Sequence, residues 1–153
     1  MNFKILNTNQ KQEILDKLKA QYGITTLPGM LIQRGTERIF LFQGSLTEKQ
    51  IKVLEYTVPI ERIGIYFAKD QHNQIRLSID GVHLLQDQIQ KGIIELNEEQ
   101  MKEWMSGNEL VIGQPVKGFV IMKYGNDFIG TGKASENKIT NFIPKSRRLK
   151  LKD

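Results

Sequence analysis

Apolar residues recur at helical spacing early in the chain, where Ile14, Leu15, Leu18 and Tyr22 fall on one stripe. Asn7, Thr8 or Asn9 can cap the start of that helix, and Gly23 stands where a left-handed residue would end it. Two short apolar runs around Gly35, Met30–Gln33 and Arg38–Phe42, predict a hairpin. The tetrad Ser45-Leu46-Thr47-Glu48 reads as a capping box, opening a helix with Ile51 and Leu54 on its apolar face and Pro59 at its end. Alternation from Arg62 to Lys69 predicts a strand, Asp70–Asn73 a turn, and Ile75–Ile79 the returning strand. After Gly81, the residues Val82, Leu85 and Ile89 predict a further helix stopped at Gly92.

The pattern then changes, and the change places a domain boundary near residue 90. Ile93–Leu96 reads as a strand, and Asn97 with Gln100 as the cap of a short helix carrying Met101, Trp104 and Met105 before Gly107. The remainder is all β: Leu110–Ile112, Lys117–Tyr124, Phe128–Lys133, Lys138–Phe142 and Leu149–Leu151, punctuated by Gly113, Pro115, Gly125, Gly130, Gly132 and Pro144. Short strands at that spacing favour a closed small barrel, which leaves no exposed edge.

Composition narrows the class. A chain of 153 residues with 39% hydrophobic and 25% charged residues has enough apolar side chain to fold. No cysteine is present, which excludes disulfides, thiolate metal sites and a cysteine nucleophile and makes the cytoplasm the expected compartment. The longest apolar run, near Ile63–Ala68, is far too short to span a bilayer, and Met1–Leu6 carries no signal-peptide core.

The candidate chemistry is mostly excluded by spacing. Gly130-Thr131-Gly132-Lys133 lacks the spacing, the Ser/Thr after the lysine and the following helix of a phosphate loop, and reads as a glycine-relieved bend. His72 and His83 have no partner at metal-ligand spacing. Glu98 and Glu99 sit in a helix first turn, where carboxylates complement the dipole. No nucleophile elbow, zinc-protease motif or dinucleotide fingerprint occurs, so the expectation is a protein with no catalytic residue, cofactor or metal.

Charge carries more. The formal net charge is +5, and Lys138, Lys145, Arg147, Arg148, Lys150 and Lys152 follow one another with no acid among them. The remaining basic and acidic residues nearly balance, so the positive field is concentrated at one end, as phosphate contacts require. Arg147 and Arg148 can fork onto phosphate, which lysine cannot do. The plainer alternative is a solvated basic tail.

The stretch from Gly118 to Lys133 (GFVIMKYGNDFIGTGK), followed by Asn141 to Arg148 (NFIPKSRR), resembles the end of a PUA-like RNA-binding domain. Such ends occur at the C-terminus of Sun-type RNA cytosine-5 methyltransferases and in small pre-PUA plus PUA proteins of ribosome biogenesis, the Nip-seven family. Arg62 to Lys69 (RIGIYFAK), Ile75 to Ile79 (IRLSI), Leu84-Leu85 and Met105 to Leu110 (MSGNEL) are similar to the second setting. The resemblance implies an α+β protein: an α/β pre-PUA domain over residues 1–90, then a PUA-type mixed β-barrel with a short helix over residues 91–153. It implies RNA binding without catalysis in ribosomal RNA maturation, with Arg147, Arg148, Lys150 and Lys152 on the RNA by position, Lys145 partly structural beside Pro144, and the N-terminal domain on partner proteins; the charge run adds Lys138 and Lys145 to the RNA-binding candidates. The rival readings are an accessory module for a separate RNA-modification enzyme, a protein-interaction adaptor, and an unrecognised enzyme.

Overall fold

A computed structural model describes residues 3–57, 64–71, 73–112 and 116–149. Pro59, the first residues of the expected Arg62–Lys69 strand, His72, Gly113, Pro115 and the end of the expected Leu149–Leu151 strand lie outside the described residues. The protein is α+β, with two five-stranded sheets.

The first sheet is an antiparallel meander of β1 (Phe3–Ile5), β2 (Met30–Arg34), β3 (Arg38–Phe42), β4 (Ile65–Gln71) and β5 (Gln74–Leu77), in that order. Helix α1 (Thr8–Tyr22) lies between β1 and β2 in the chain. Its start is a reciprocal capping box: Gln10 N donates to Asn7 Oδ1 at 2.8 Å and Asn7 N donates to Gln10 Oε1 at 3.0 Å. Its stripe of Ile14, Leu18 and Tyr22 is buried, and Gly23 ends it at φ 81°.

Helix α2 (Glu48–Thr57) begins two residues later than the Ser45 box predicts. The box that forms is Thr47 with Gln50: Gln50 N donates to Thr47 Oγ1 and Thr47 N donates to Gln50 Oε1. The overlapping tetrad wins because it places Leu46 just before the cap and Ile51 at the fourth helical position. Both then join the apolar cluster of Phe3, Ile32 and Phe40, a hydrophobic staple that a Ser45 cap would replace with Gly44 and Lys49.

The meander is therefore covered on both faces. α1 and α3 (Ile79–Leu85) bury one face through Leu18, Tyr22, Phe67, Ile75, Leu77 and Val82. α2 covers part of the other through Ile51. β5 is shorter than expected because Ser78 caps α3, accepting from Gly81 N at 2.9 Å. Gly81 is thus inside the helix, where an added Cβ would come within 2.4 Å of the Phe67 carbonyl oxygen.

The second sheet is mixed and curled. β6 (Ile93–Glu95) runs parallel to β8 (Gly118–Tyr124), followed by antiparallel β9 (Asp127–Ser135), β10 (Lys138–Asn141) and β7 (Leu110–Val111). Among the described residues β6 and β7 are its two edges, so the curl is a half-barrel and not a closed ring of pairings. Helix α4 (Glu98–Met105), capped by Asn97 and Gln100 as expected, fills it with the fully buried Trp104. Gly132 makes that possible: a Cβ there would lie 2.7 Å from the indole and 2.6 Å from the Thr140 carbonyl oxygen. Gly130 and Gly132 thus lie within β9, where the sequence suggested a turn or bend, and make room for Trp104.

The sheets meet along a packed seam. Ile121 of β8 is buried in the same cluster as Leu18 and Phe67, with Ile93 and Phe128 beside it. Thr131 Oγ1 donates to the Leu77 carbonyl at 3.0 Å, and His83 Nε2 lies 3.0 Å from the Phe128 carbonyl.

Candidate nucleic-acid interface

The chain after β10 is strapped back over the second sheet. Asn141 is the buckle: its Nδ2 donates to the carbonyls of Trp104 (2.7 Å) and Asn108 (3.0 Å), and its Oδ1 accepts from Ile143 N (2.8 Å). Ile143 is buried, Pro144 turns the chain, and Lys145–Arg147 form a single 3₁₀ turn. Leu149 N then donates to the Met105 carbonyl at 2.7 Å, so Leu149 anchors to the end of α4.

Three of the candidate cations fall on this strap, and their environments differ. Lys145 is exposed. Arg147 is exposed and reaches Asp80 at 3.3 Å, longer than a tight charged pair and thus open to exchange. Arg148 is half-buried: Nε donates to the Ile143 carbonyl at 3.0 Å, and its aliphatic stem lies across Gly107 so closely that a Cβ there would be 2.5 Å from Cδ. Lys138 is at the far end of β10, about 10 Å of strand from Asn141 at about 3.3 Å per residue. It pairs with Glu109 at 2.7 Å. Lys150 and Lys152 lie outside the described residues.

Beside the strap, between the two sheets, is a pocket of about 320 Å³. That is the small end of ligand sites, which run from roughly 300 to 1,000 Å³. Tyr66 and Arg76 come from the first sheet, Asp80 from the start of α3, and Phe142, Ser146 and Arg147 from the strap. The Arg76 guanidinium sits 4.1 Å from the centre of the Phe142 ring, and Phe119 backs that ring at 6.4 Å. Burial pushes the Tyr66 phenol pKa up, while the charges of Arg76 and Arg38 partly offset that. The pocket thus offers a stacking surface, a carboxylate acceptor and guanidinium donors at one mouth. Sequence reasoning missed Asp80, because no spacing rule joins residues on two strands and the first turn of a helix. Tyr66, Arg76 and Phe142 lay inside the stretches that carry the resemblance but without a role.

No group of three or more histidine or acidic residues that could hold a metal occurs among the described residues. None of their helices is long and apolar enough to cross a membrane.

The second sheet with its helix and strap is a PUA domain: residues 91–149 match the family described as Methyltransferase RsmF PUA domain. Curated relatives match a longer stretch that takes in the first sheet as well. The chain is 30% identical over 145 residues to the ribosomal RNA small subunit methyltransferase F of Psychromonas ingrahamii, an alignment covering 90% of this chain and 29% of the relative. It is 26% identical to the protein of that name from Aeromonas salmonicida and 27% identical to that from Vibrio cholerae, in each case over 94% of this chain and 29% of the relative. The chain therefore spans less than a third of the length of these relatives. The likeness lies on the methyltransferase side of the resemblance drawn from the sequence, and the small two-domain ribosome-biogenesis proteins are not among the relatives described.

Proposed function

We propose that this chain is an RNA-binding module acting in ribosomal RNA maturation, with no chemistry of its own. The observation that carries the reading is the PUA domain whose strap lines the junction pocket with Arg147 and carries the exposed Lys145 in the same turn. Phosphate contacts from those cations position the RNA, and the pocket gives a place for sequence or shape to be read. The relatives' printed function, on small-subunit ribosomal RNA, supports that RNA as the target and the cytoplasm as the compartment. The absence of cysteine from the sequence supports a binding role over methyl transfer.

Filter binding of a small-subunit ribosomal RNA fragment tests this. The Lys145→Ala, Arg147→Ala double variant is expected to bind more weakly, with a salt slope smaller by about 1.4 if the contacted RNA is single-stranded. Unchanged affinity and slope would remove the strap from the interface.

The relatives' names favour a second reading, in which the module serves a methylation reaction whose catalytic groups lie on another polypeptide or another part of one. It predicts that a ribosomal RNA methyltransferase co-purifies after nuclease treatment. Partner proteins docking on the first sheet belong to the same reading.

A further inference from the structure

Folding gathers a second set of cations that is scattered in the sequence. In the meander, Arg34 is directly opposite Arg38, Arg38 is opposite Lys69, and Lys69 is opposite Arg76. Strand alternation, with a β-bulge in β4 between Tyr66 and Ala68, places all four on the face that carries α2, because Ile32, Phe40 and Tyr66 point that way while Ile39, Ala68, Ile75 and Leu77 point to the other. Four basic residues thus form one row across four strands, about 14 Å long at about 4.8 Å per strand.

Like charges directly opposite one another on a sheet repel and destabilise it. Neutralising carboxylates would be the ordinary remedy, and among the described residues Arg38, Lys69 and Arg76 have no ion pair. Asp70, next to Lys69, points to the opposite face and pairs with Lys17 at 3.0 Å. Glu37 lies beside the row, where its carboxylate accepts from Gln71 at 3.0 Å. Aromatic rings flank both ends: Arg34 is 5.8 Å from the Phe3 ring centre and Arg76 is 4.1 Å from that of Phe142. Arg76 belongs to the row and to the junction pocket alike.

Resting on the RNA-binding reading, we infer that this face of the first sheet is a track for single-stranded RNA. The row holds successive phosphates, and the junction pocket takes one unstacked base against Arg76 and Phe142. Asp80 accepts from that base's N–H groups when Arg147 turns to a phosphate. Basic tracks interleaved with stacking surfaces suit single strands, and a one-base pocket requires a base free of its partner.

The test is fluorescence anisotropy with a short labelled oligoadenylate as the probe, across a salt series. For Arg38→Gln with Lys69→Gln, the salt slope is expected to fall by about 1.4, from about 0.7 per lost contact, with a melting temperature no lower than that of the unmodified protein. For Phe142→Leu, which keeps an apolar side chain but loses the ring, affinity is expected to fall roughly fivefold to a hundredfold with the salt slope unchanged. If the protein binds the probe and the strap variant weakens it, but the Arg38/Lys69 variant keeps the full slope, the track is wrong and the RNA reading stands. Failure to bind either the oligoadenylate or the ribosomal fragment overturns both. Competition by an RNA duplex as effective as by the single strand also overturns the track.

Discussion

Arg147 and Arg148 are neighbours with opposite attachments. The sequence offers them as one phosphate fork, since nothing in the chain distinguishes them. What separates them is where the strap lies: Arg148 faces Gly107 and the Ile143 carbonyl, Arg147 faces solvent and Asp80. Arg148→Ala is expected to cost about 1–2 kcal/mol, from a charge-assisted hydrogen bond and lost packing of its stem. Arg147→Ala is expected to cost less than about 1 kcal/mol, since its pair is exposed. Chemical denaturation of the two single variants checks the contrast, and equal losses would contradict it. Tyr22 gives a second residue-scale test. Its hydroxyl donates to the Ile75 carbonyl at 2.7 Å and burial raises its pKa above the usual range. Between the unfolded value, about 10, and the raised folded value, the native state holds a proton the unfolded chain has lost, so Tyr22 makes stability fall as pH rises above about 10. Tyr22→Phe is expected to be less stable at neutral pH by about 1 kcal/mol and to lose less of its stability between pH 9 and pH 11, roughly the range around the phenol's ordinary pKa. Parallel pH profiles for the two proteins would show that Tyr22 carries no such linkage.

Elements were legible where their signals are local. α4 carries an Asn97–Gln100 box followed by an apolar stripe and begins where that box says, while α1 begins after Asn7, one of the three caps its sequence left open. α2 carries two overlapping boxes, and only the contact of Leu46 and Ile51 with the first sheet decides between them. Thr47→Ala is accordingly expected to cost about 1 kcal/mol and Ser45→Ala close to nothing, measured by urea unfolding. The reverse order would restore the earlier start. Ser78 shows the same limit, since Ile75–Ile79 alternates like a strand until the serine is seen to cap α3. Cross-strand register is a tertiary fact, so the row from Arg34 to Arg76 was invisible in a charge count that found the chain before Lys138 nearly neutral. The basic run on the strap was visible because its cations lie close together in the chain.

At the scale of the whole molecule, the first sheet's last strand ends at Leu77 and the second sheet's first begins at Ile93, and the packing crosses between the two. Ile121 is completely buried in the cluster built on Leu18 and Phe67, and a buried hydroxyl of β9 bonds the last residue of β5. The pocket exists only while Tyr66 and Arg76 on one side hold station against Phe142 and Arg147 on the other. A seam of this kind predicts that the sheets unfold together. Trp104 is the chain's single tryptophan and is fully buried in the second sheet's core, so its fluorescence reports that sheet alone, while far-UV ellipticity reports both. The two thermal transitions are expected to coincide, and to shift down together in Ile121→Ala by the 2–5 kcal/mol or so that a buried Ile→Ala change costs. Separate transitions, or a shift in one probe only, would mean two independently stable units joined at a weak contact. In that case RNA affinity would persist after the first unit melted; with a cooperative seam, binding to the oligoadenylate is lost along the same curve as the fluorescence, because the base pocket and the phosphate row come apart at once.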